Sequence, residues 1–195
     1  VALSGLQPGG LYMFQMFCAD PSGNVGESDY HHFIVPDSAG VEEQVFQDDL
    51  ESGAPDWTRV PNGQGPWSLV ESQYARSATH AWFSTDPEGG KDDLLLLPEL
   101  NLAGAASATL TFWHTYSFET GYDGGVVEVS VDGGQTFTDL GPDILAGGYT
   151  GLIDPQTQSA IKGRQAWTGG ALGTMTPVTV RLDRFCGRPA LVCFR

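Results

Sequence analysis

The sequence predicts an all-β fold, and three observations carry that prediction. Apolar and polar residues alternate at a period of two along most of the chain. The 195 residues include 26 glycines and 12 prolines, a composition typical of many turns. No stretch shows the three-turn amphipathic pattern of a helix. With 41% hydrophobic residues, the chain can bury a core in one large all-β domain or two small ones.

The N-terminal segment, residues 1–36, contains two predicted strands. The first, LYMFQMFCAD, places four residues on one face: Tyr12, Phe14, Met16 and Cys18. The second, HHFIV at 31–35, follows the turn PSGNVGES. Because two strands cannot hold a core by themselves, we expect this segment to need partner strands from a longer polypeptide.

The same segment resembles the last strands of a fibronectin type III domain. LQP at 6–8 followed by Tyr12 has the spacing of that family's tyrosine corner, in which the hydroxyl binds the upstream backbone. ADPSGN at 19–24 resembles the family's A-D-x-x-G-N turn, and FIV at 33–35 its closing strand. The resemblance implies the final third of such a sandwich.

A connector at residues 37–47 contains acidic residues and no Lys or Arg, and residues 48–195 then return to strand patterns. In ATLTFWHTYSFE, five residues share the apolar face: Leu110, Phe112, His114, Tyr116 and Phe118. VVEVSV places the valines inward, with Glu128 and Ser130 on the outer face. VTVRL and ALVCFR repeat the alternation, and DLLLLP is typical of a strand at the centre of a sheet. Asp132-Gly133-Gly134 predicts a tight hairpin turn between strands at 126–131 and 136–140.

From Phe46 onward, the chain resembles the MAM-like jelly-roll modules of secreted bacterial proteins, notably immune-inhibitor-A-type metallopeptidases. The matching motifs occur in the expected order: DLESG (49–53) with Trp57, HAWF (80–83), DDL (92–94) with Pro98, FWH (112–114), YDGGVVEVS (122–130), DGG (132–134), GGY (147–149) and GRQAW (163–167). Two departures stand out, namely Cys186 with Cys193 and the lack of the closing G-W-x-I-D-D-V strand. The resemblance therefore implies a jelly roll at 48–195 without its closing strand, which further sequence or another chain would complete.

Modules of this kind commonly bind calcium, and the resemblance assigns that role to Glu51 and Asp93. Glu119 and Asp123 lie in a glycine-rich loop before a strand, where carboxylates and exposed carbonyls can supply the six to eight oxygens that Ca²⁺ takes. Four converging carboxylates would repel one another without the ion. The alternative is that each carboxylate is a solvated turn residue or an acceptor for backbone N–H groups.

Charge and cysteine content restrict the partners. A formal charge of −15 repels phosphate backbones and anionic lipid, so we expect no nucleic-acid partner, while divalent cations are natural counter-species. The same composition is also typical of a soluble secreted protein. No apolar run approaches twenty residues, so we expect no membrane span. The three cysteines leave at least one thiol without a partner in the chain, and pairing of Cys186 with Cys193 stays open.

Two other functions compete with a structural one. Glu119, Asp123 and Glu128 could supply an acid/base pair as in glycosidases, but the outward position predicted for Glu128 argues against it. The four histidines have no H-E-x-x-H spacing and we expect no catalysis in these residues. Trp113, on the polar face of its strand, is a candidate for stacking on a glycan unless the partner sheet or the loop with Trp167 covers it.

The sequence therefore predicts a non-catalytic, calcium-stabilised module of a secreted or cell-surface protein, with a structural or adhesive role. Its partners would be other domains of the same polypeptide or neighbouring subunits. The alternatives are an accessory module of a secreted metallopeptidase, whose catalytic domain lies elsewhere, and a glycan-binding module. An H-E-x-x-H motif upstream would select the peptidase.

Overall fold

The fold is all-β. The computed structural model describes residues 6–7, 10–28, 31–35, 42–63, 65–85 and 91–195, and these ranges contain seventeen strands and two three-residue 3₁₀ helices. The chain divides into two compact units, Val1–Glu43 and Gln44–Arg195. The division falls inside the connector predicted at residues 37–47.

The first unit contains two antiparallel strand pairs. Its strands in chain order are β1 (Leu11–Phe14), β2 (Phe17–Ala19), β3 (Val25–Glu27) and β4 (His31–Ile34). β1 pairs with β4, and β2 pairs with β3. The Asp20 carboxylate holds the intervening turn, because its Oδ1 accepts hydrogen bonds from the backbone N–H of Ser22 and of Asn24 at 2.8 and 3.0 Å.

The single strand predicted for LYMFQMFCAD is wrong in one respect, since it is broken between Phe14 and Phe17. The Ser28 side chain interrupts the ladder there: Ser28 Oγ accepts a hydrogen bond from Met16 N at 3.0 Å. The side chains of Met16 and Phe17 are both exposed. The contact expected of a tyrosine corner is present, because Gln7 N donates to Tyr12 Oη at 2.6 Å. The side chain of Cys18, predicted on the same face, lies outside the described part of the structure.

The second unit contains two larger sheets. The six-stranded sheet has the order β12–β11–β17–β8–β5, with β9 also paired to β17, and the three-stranded sheet has the order β10–β16–β13. Strands β6 with β7 and β14 with β15 form separate pairs. The strands are β5 (Thr58–Val60), β6 (Ser68–Glu71), β7 (His80–Phe83), β8 (Leu94–Leu96), β9 (Leu100–Asn101), β10 (Thr109–His114), β11 (Val127–Ser130), β12 (Thr138–Asp139), β13 (Ile144–Ala146), β14 (Gly151–Leu152), β15 (Gln165–Ala166), β16 (Thr176–Arg181) and β17 (Pro189–Phe194).

The core of the second unit lies between these two sheets. Val178 and Val180 of β16 pack in one buried cluster with Val127 and Val129 of β11 and with Val192 of β17. All five side chains are at most 1% exposed. Burial of apolar surface in such a cluster supplies the main stabilisation of a β-sandwich, at about 25 cal/mol per Å². The unit is therefore a β-sandwich, as the alternation predicts.

Three local predictions are confirmed or corrected within this unit. DLLLLP forms β8, which lies inside its sheet between β17 and β5. The hairpin after β11 forms, but its turn is wide rather than tight, since Val129 pairs with Thr138 and residues 131–137 connect the two strands. Glu128 and Ser130 are not on an outer face, because both are buried, at 2% and 1% exposure.

The cysteines of the second unit do not pair in the structure. Cys186 and Cys193 are both free thiols. Cys193 lies in β17 with no exposed surface, and burial raises the pKa of its thiol to about 12. A thiol that stays protonated and buried is a poor nucleophile, so Cys193 has a packing role.

Candidate functional site

Glu51, the first predicted calcium ligand, binds a loop of the protein itself. Its carboxylate accepts hydrogen bonds from Thr79 N at 2.9 Å, Thr79 Oγ1 at 2.7 Å, His80 N at 2.9 Å and Ser77 Oγ at 2.9 Å. His80 Nδ1 lies 2.8 Å from Glu51 Oε2. The backbone N–H of Thr79, together with His80, holds the pKa of the Glu51 carboxyl well below its usual range. Glu51 therefore fastens residues 77–80 to the turn that carries it.

That turn has an unusual backbone. Leu50 and Ala54 have φ values of 69° and 46°, in the left-handed region that non-glycine residues seldom adopt. Asp48 stabilises the turn, because its Oδ1 accepts from Leu50 N at 2.7 Å and its Oδ2 from Trp57 Nε1 at 2.8 Å. Asp48, directly before the D-L-E-S-G motif, thus shapes the turn, and Glu51 of the motif binds a neighbouring loop.

Asp93, the second predicted ligand, is buried at the entrance to β8. Its Oδ1 accepts a hydrogen bond from Asn62 N at 2.5 Å. Its Oδ2 is buried and lies 3.6 Å from Lys91 Nζ, at an ion-pair distance but without a hydrogen bond. Lys91 also donates to Ser84 Oγ at 2.7 Å. An ammonium group beside this carboxylate supplies the positive charge that a cation would otherwise supply.

Glu119 and Asp123 lie in the glycine-rich loop before β11, as predicted. The backbone N–H groups of Tyr122 and Asp123 donate to the carbonyl of Glu119 at 3.0 and 3.1 Å. Gly121 has a φ of 78°, and its N–H donates to Thr168 Oγ1 at 2.8 Å. The Glu119 side chain is exposed, and Asp123 is half-buried.

The four predicted ligands do not meet in one place. Across the described ranges, no three His, Cys, Asp or Glu side chains lie close enough together to hold a metal ion. The Glu51 carboxylate accepts hydrogen bonds from protein donors, and the Asp93 carboxylate lies beside the ammonium group of Lys91. Calcium binding therefore stays a prediction, and the loop of Glu119 and Asp123 is where it remains to be tested.

The most strongly organised charged group was not predicted from sequence. Glu128 in β11 lies between two arginines: Arg164 Nη2 is 2.7 Å from Glu128 Oε1, and Arg195 Nη1 is 3.5 Å from Glu128 Oε2. Arg164 also contacts Asp139 Oδ2 at 2.8 Å, and Arg195 binds both oxygens of Asp92 at 2.5 and 2.7 Å. We call these five residues the Glu128 network.

The Glu128 network joins segments that are far apart in sequence. Tyr149 extends it, because its hydroxyl donates to Asp139 Oδ1 at 2.8 Å and accepts from Val127 N at 3.1 Å. Burial raises the pKa of Tyr149, so the phenol remains protonated and keeps donating. The one sequence signal for this network was the concentration of basic residues between Lys162 and Arg195.

Asp132 is a turn residue, as the hairpin pattern predicts. Its carboxylate accepts from Thr136 Oγ1 at 2.6 Å, from Thr136 N at 3.0 Å and from Gln135 N at 3.0 Å. The buried Ser130 hydroxyl donates to the same carboxylate at 2.7 Å. The side chains of Thr136 and Ser130 hold the pKa of Asp132 well below its usual range.

Trp113, the glycan candidate, is 40% exposed on β10. The guanidinium of Arg76 lies over its ring, with Cζ 5.1 Å from the ring centroid. Trp167 does not cover it, because Trp167 is in the core and packs edge-on against Phe112 and His114 at centroid distances of 5.8 and 4.6 Å. One face of Trp113 is therefore shared with a cation and part of the ring meets solvent.

No described helix has the length and apolar character needed to cross a membrane. Comparison of the chain with protein-family models, curated proteins and solved structures gives no match.

Proposed function

We propose that this chain is a structural module of a larger extracellular or cell-surface protein, with a non-catalytic, adhesive or spacing role. One observation carries the proposal: three carboxylates, including Glu51 and Glu128 that the sequence offered for chemistry, are acceptors for groups of the protein itself. Glu51 binds residues 77–80, Glu128 binds two arginines, and Asp132 closes its own loop. These contacts connect loops to sheets, which is the work of a rigid module.

The electrostatics of Glu51 and Asp132 support a role as hydrogen-bond acceptors for these two carboxylates. A general acid or base works best when its pKa is near the working pH. The hydrogen bonds to Glu51 and Asp132 move the pKa of each carboxyl in the opposite direction, below its usual range. A carboxylate that is ionised at all ordinary pH values is a strong hydrogen-bond acceptor and a weak base.

The proposal includes the resemblances as working assignments. The first unit would be the end of a fibronectin type III-like domain, and its Gln7–Tyr12 contact supports that assignment. The second unit would be a MAM-like jelly roll, supported by its two packed antiparallel sheets. The partners would be other domains of the same polypeptide or neighbouring subunits.

The test is a thermal melt of the chain in excess calcium and in EDTA, with Glu51→Gln and Glu119→Gln as a matched pair. We expect Glu51→Gln to lower the melting temperature equally in both buffers, because the partners of Glu51 are protein donors. We expect Glu119→Gln, at an exposed position, to be neutral in EDTA and to remove any calcium-dependent rise.

Each result decides one part of the proposal. Equal wild-type melting temperatures in calcium and EDTA would withdraw the calcium prediction and leave the structural role intact. If Glu51→Gln lowered the melting temperature only in calcium, Glu51 would be an ion ligand and not an internal acceptor.

A glycan-binding module is the second candidate, favoured by the partial exposure of Trp113. An exposed indole can stack on the apolar face of a sugar, and Arg76 beside it could donate to hydroxyl groups. Titration of wild type and Trp113→Ala with a panel of oligosaccharides would test it. Saturable binding lost in Trp113→Ala supports a glycan site, whereas identical titrations of both proteins reject it.

A further inference from the structure

Among the described residues, strand β10 (Thr109–His114) has a partner strand on one edge only. It is the terminal strand of the three-stranded sheet and pairs with β16 alone. Within the part of the chain that the structure describes, β6 and β7 pair with each other and with no further strand. An unpaired edge presents a row of backbone N–H and C=O groups that another extended strand can bind.

The other edges of the two larger sheets in the second unit are protected in ways that β10 is not. β12 has two residues, one of which is Asp139, and β5 has three residues with Arg59 in the middle. β13 has three residues and an irregular register between Ile144 and Ala146. Short length, charge and bulges are the usual means of blocking edge pairing. β10 has six residues, TLTFWH, without charge, glycine or proline.

Burial across the sheet confirms that this edge is open to solvent. In the central strand β16, Val178 and Val180 are 0% exposed and Thr179, on the opposite face, is 1% exposed. In β10 the inward residues Leu110, Phe112 and His114 are only half-buried. Its outward residues, at positions 109, 111 and 113, are exposed.

The distribution of charge favours a second copy of this chain as the partner of the β10 edge. Residues 100–118 contain no Asp, Glu, Lys or Arg, in a chain whose net charge is −15. Two copies of this chain repel each other over most of their surface, but the β10 strands themselves carry no charge, although the guanidinium of Arg76 lies over Trp113. We propose that β10 pairs antiparallel with β10 of a second copy, which joins two three-stranded sheets into one.

The strand is self-complementary in that arrangement. Residues that oppose each other across an antiparallel pair lie on the same face of the sheet. A two-fold axis at Thr111 therefore places Thr111 opposite its own copy, Thr109 opposite Trp113, and Leu110 opposite Phe112. Thr–Thr, aromatic–β-branched and apolar pairs are favourable cross-strand combinations. Because each copy offers one such edge, the assembly closes as a dimer and does not extend further.

The test is sedimentation of the whole chain over a wide concentration range at low and high salt, with Thr111→Lys and Thr138→Lys. Thr111 is exposed in β10, and Thr138 is an equally exposed position on β12, so each lysine should leave the fold intact. We expect a wild-type dimer that strengthens with salt, because screening weakens the repulsion between copies. Thr111→Lys should weaken the dimer by about tenfold or more, and Thr138→Lys should leave it unchanged.

Amide hydrogen exchange distinguishes the outcomes. Protection of β10 amides that appears with dimerisation and is absent in folded Thr111→Lys supports the proposal. A wild-type monomer at all concentrations overturns it. In that case, protected β10 amides mean that another part of the same chain covers the edge, and exposed amides leave the edge for a different partner. Equal effects of the two lysines would also overturn it.

Discussion

Strands β10 and β11 are consecutive in the chain, and both have alternating sequences. Their polar residues nevertheless differ in exposure to solvent. In β10, TLTFWH, the polar face is exposed. In β11, VEVS, all four residues are buried, including Glu128 and Ser130. β10 has one neighbouring strand, whereas β11 has two, β12 and β17. Alternation therefore identifies a strand and its two faces, but not whether the polar face meets water or a buried counter-charge.

The free-energy cost of each polar residue depends on the groups that surround it. A threonine on the exposed face of β10 stays hydrated in the folded protein, so its polar group costs little free energy. A carboxylate at 2% exposure must keep its arginines, because an unpaired charge in the interior costs several kcal/mol. Three substitutions test whether β10 and β11 differ in this way.

The largest effect is expected from Glu128→Ala. This change leaves Arg164 with Asp139 alone and Arg195 with Asp92 alone, and removes a buried partner from both. We expect the free energy of unfolding to fall by about 3–5 kcal/mol. Urea denaturation would measure the loss, with Thr111→Ala on β10 as the matched control, expected to change it by about 0.5 kcal/mol or less. Equal losses in the two variants would contradict the role assigned to the Glu128 network.

An intermediate effect is expected on the inward face of β10, where His114 packs among Phe112, Tyr116 and Trp167. Burial lowers the pKa of His114 from 6.5 to about 4. The unfolded chain therefore binds a proton more readily than the folded chain, so stability is greatest above the unfolded pKa and falls as pH drops towards the folded pKa. The loss from this one group is up to about 3 kcal/mol.

The measurement is urea denaturation at several pH values between those two pKa values, for wild type and His114→Phe. We expect the stability of wild type to decline with falling pH more steeply than that of the phenylalanine variant. The carboxyls of Glu51 and Asp132, whose pKa values are lowered, lose their contribution only at more acidic pH. Parallel declines in the two proteins would show that His114 titrates normally.

The smallest effect is expected from Arg76→Ala, at the exposed face of β10. The guanidinium over Trp113 is a solvent-exposed cation–π contact, for which about 0.5–1 kcal/mol is typical. Urea denaturation should show a loss of that size, and Trp113→Ala combined with Arg76→Ala should cost less than the sum of the single changes. Strict additivity would mean that the two side chains do not interact.

The sequence predicted those features of the fold that depend on local pattern. Period-two alternation located β10, β11, β16 and β17, and the continuous apolar run DLLLLP located β8. The glycines of the Asp132 loop, Gly133 and Gly134, have the positive φ values that a hairpin connection favours. Asp132 was predicted as a turn residue, and its carboxylate does close the loop. Each of these features follows from bonds and side chains within a few residues of one another.

The residues of the candidate site make contacts between segments far apart in the sequence. The alternation pattern does not indicate such contacts. Glu51 meets a loop 26 to 29 residues away, and Glu128 meets Arg195 at a separation of 67 residues. A motif can mark a carboxylate as important, as D-L-E-S-G did for Glu51. It cannot tell whether oxygens, N–H groups or a guanidinium will surround that carboxylate.

Alternation and composition are enough to predict an all-β chain with a net charge of −15 and an uncharged stretch at residues 100–118. Which strand lies at an open edge and which carboxylates are buried follows from the pairing of the strands, because both depend on the neighbour that a strand acquires through long-range contacts. The pairing of one strand in turn depends on the pairing of all the others, because they can bind the same apolar faces and backbone hydrogen-bonding groups.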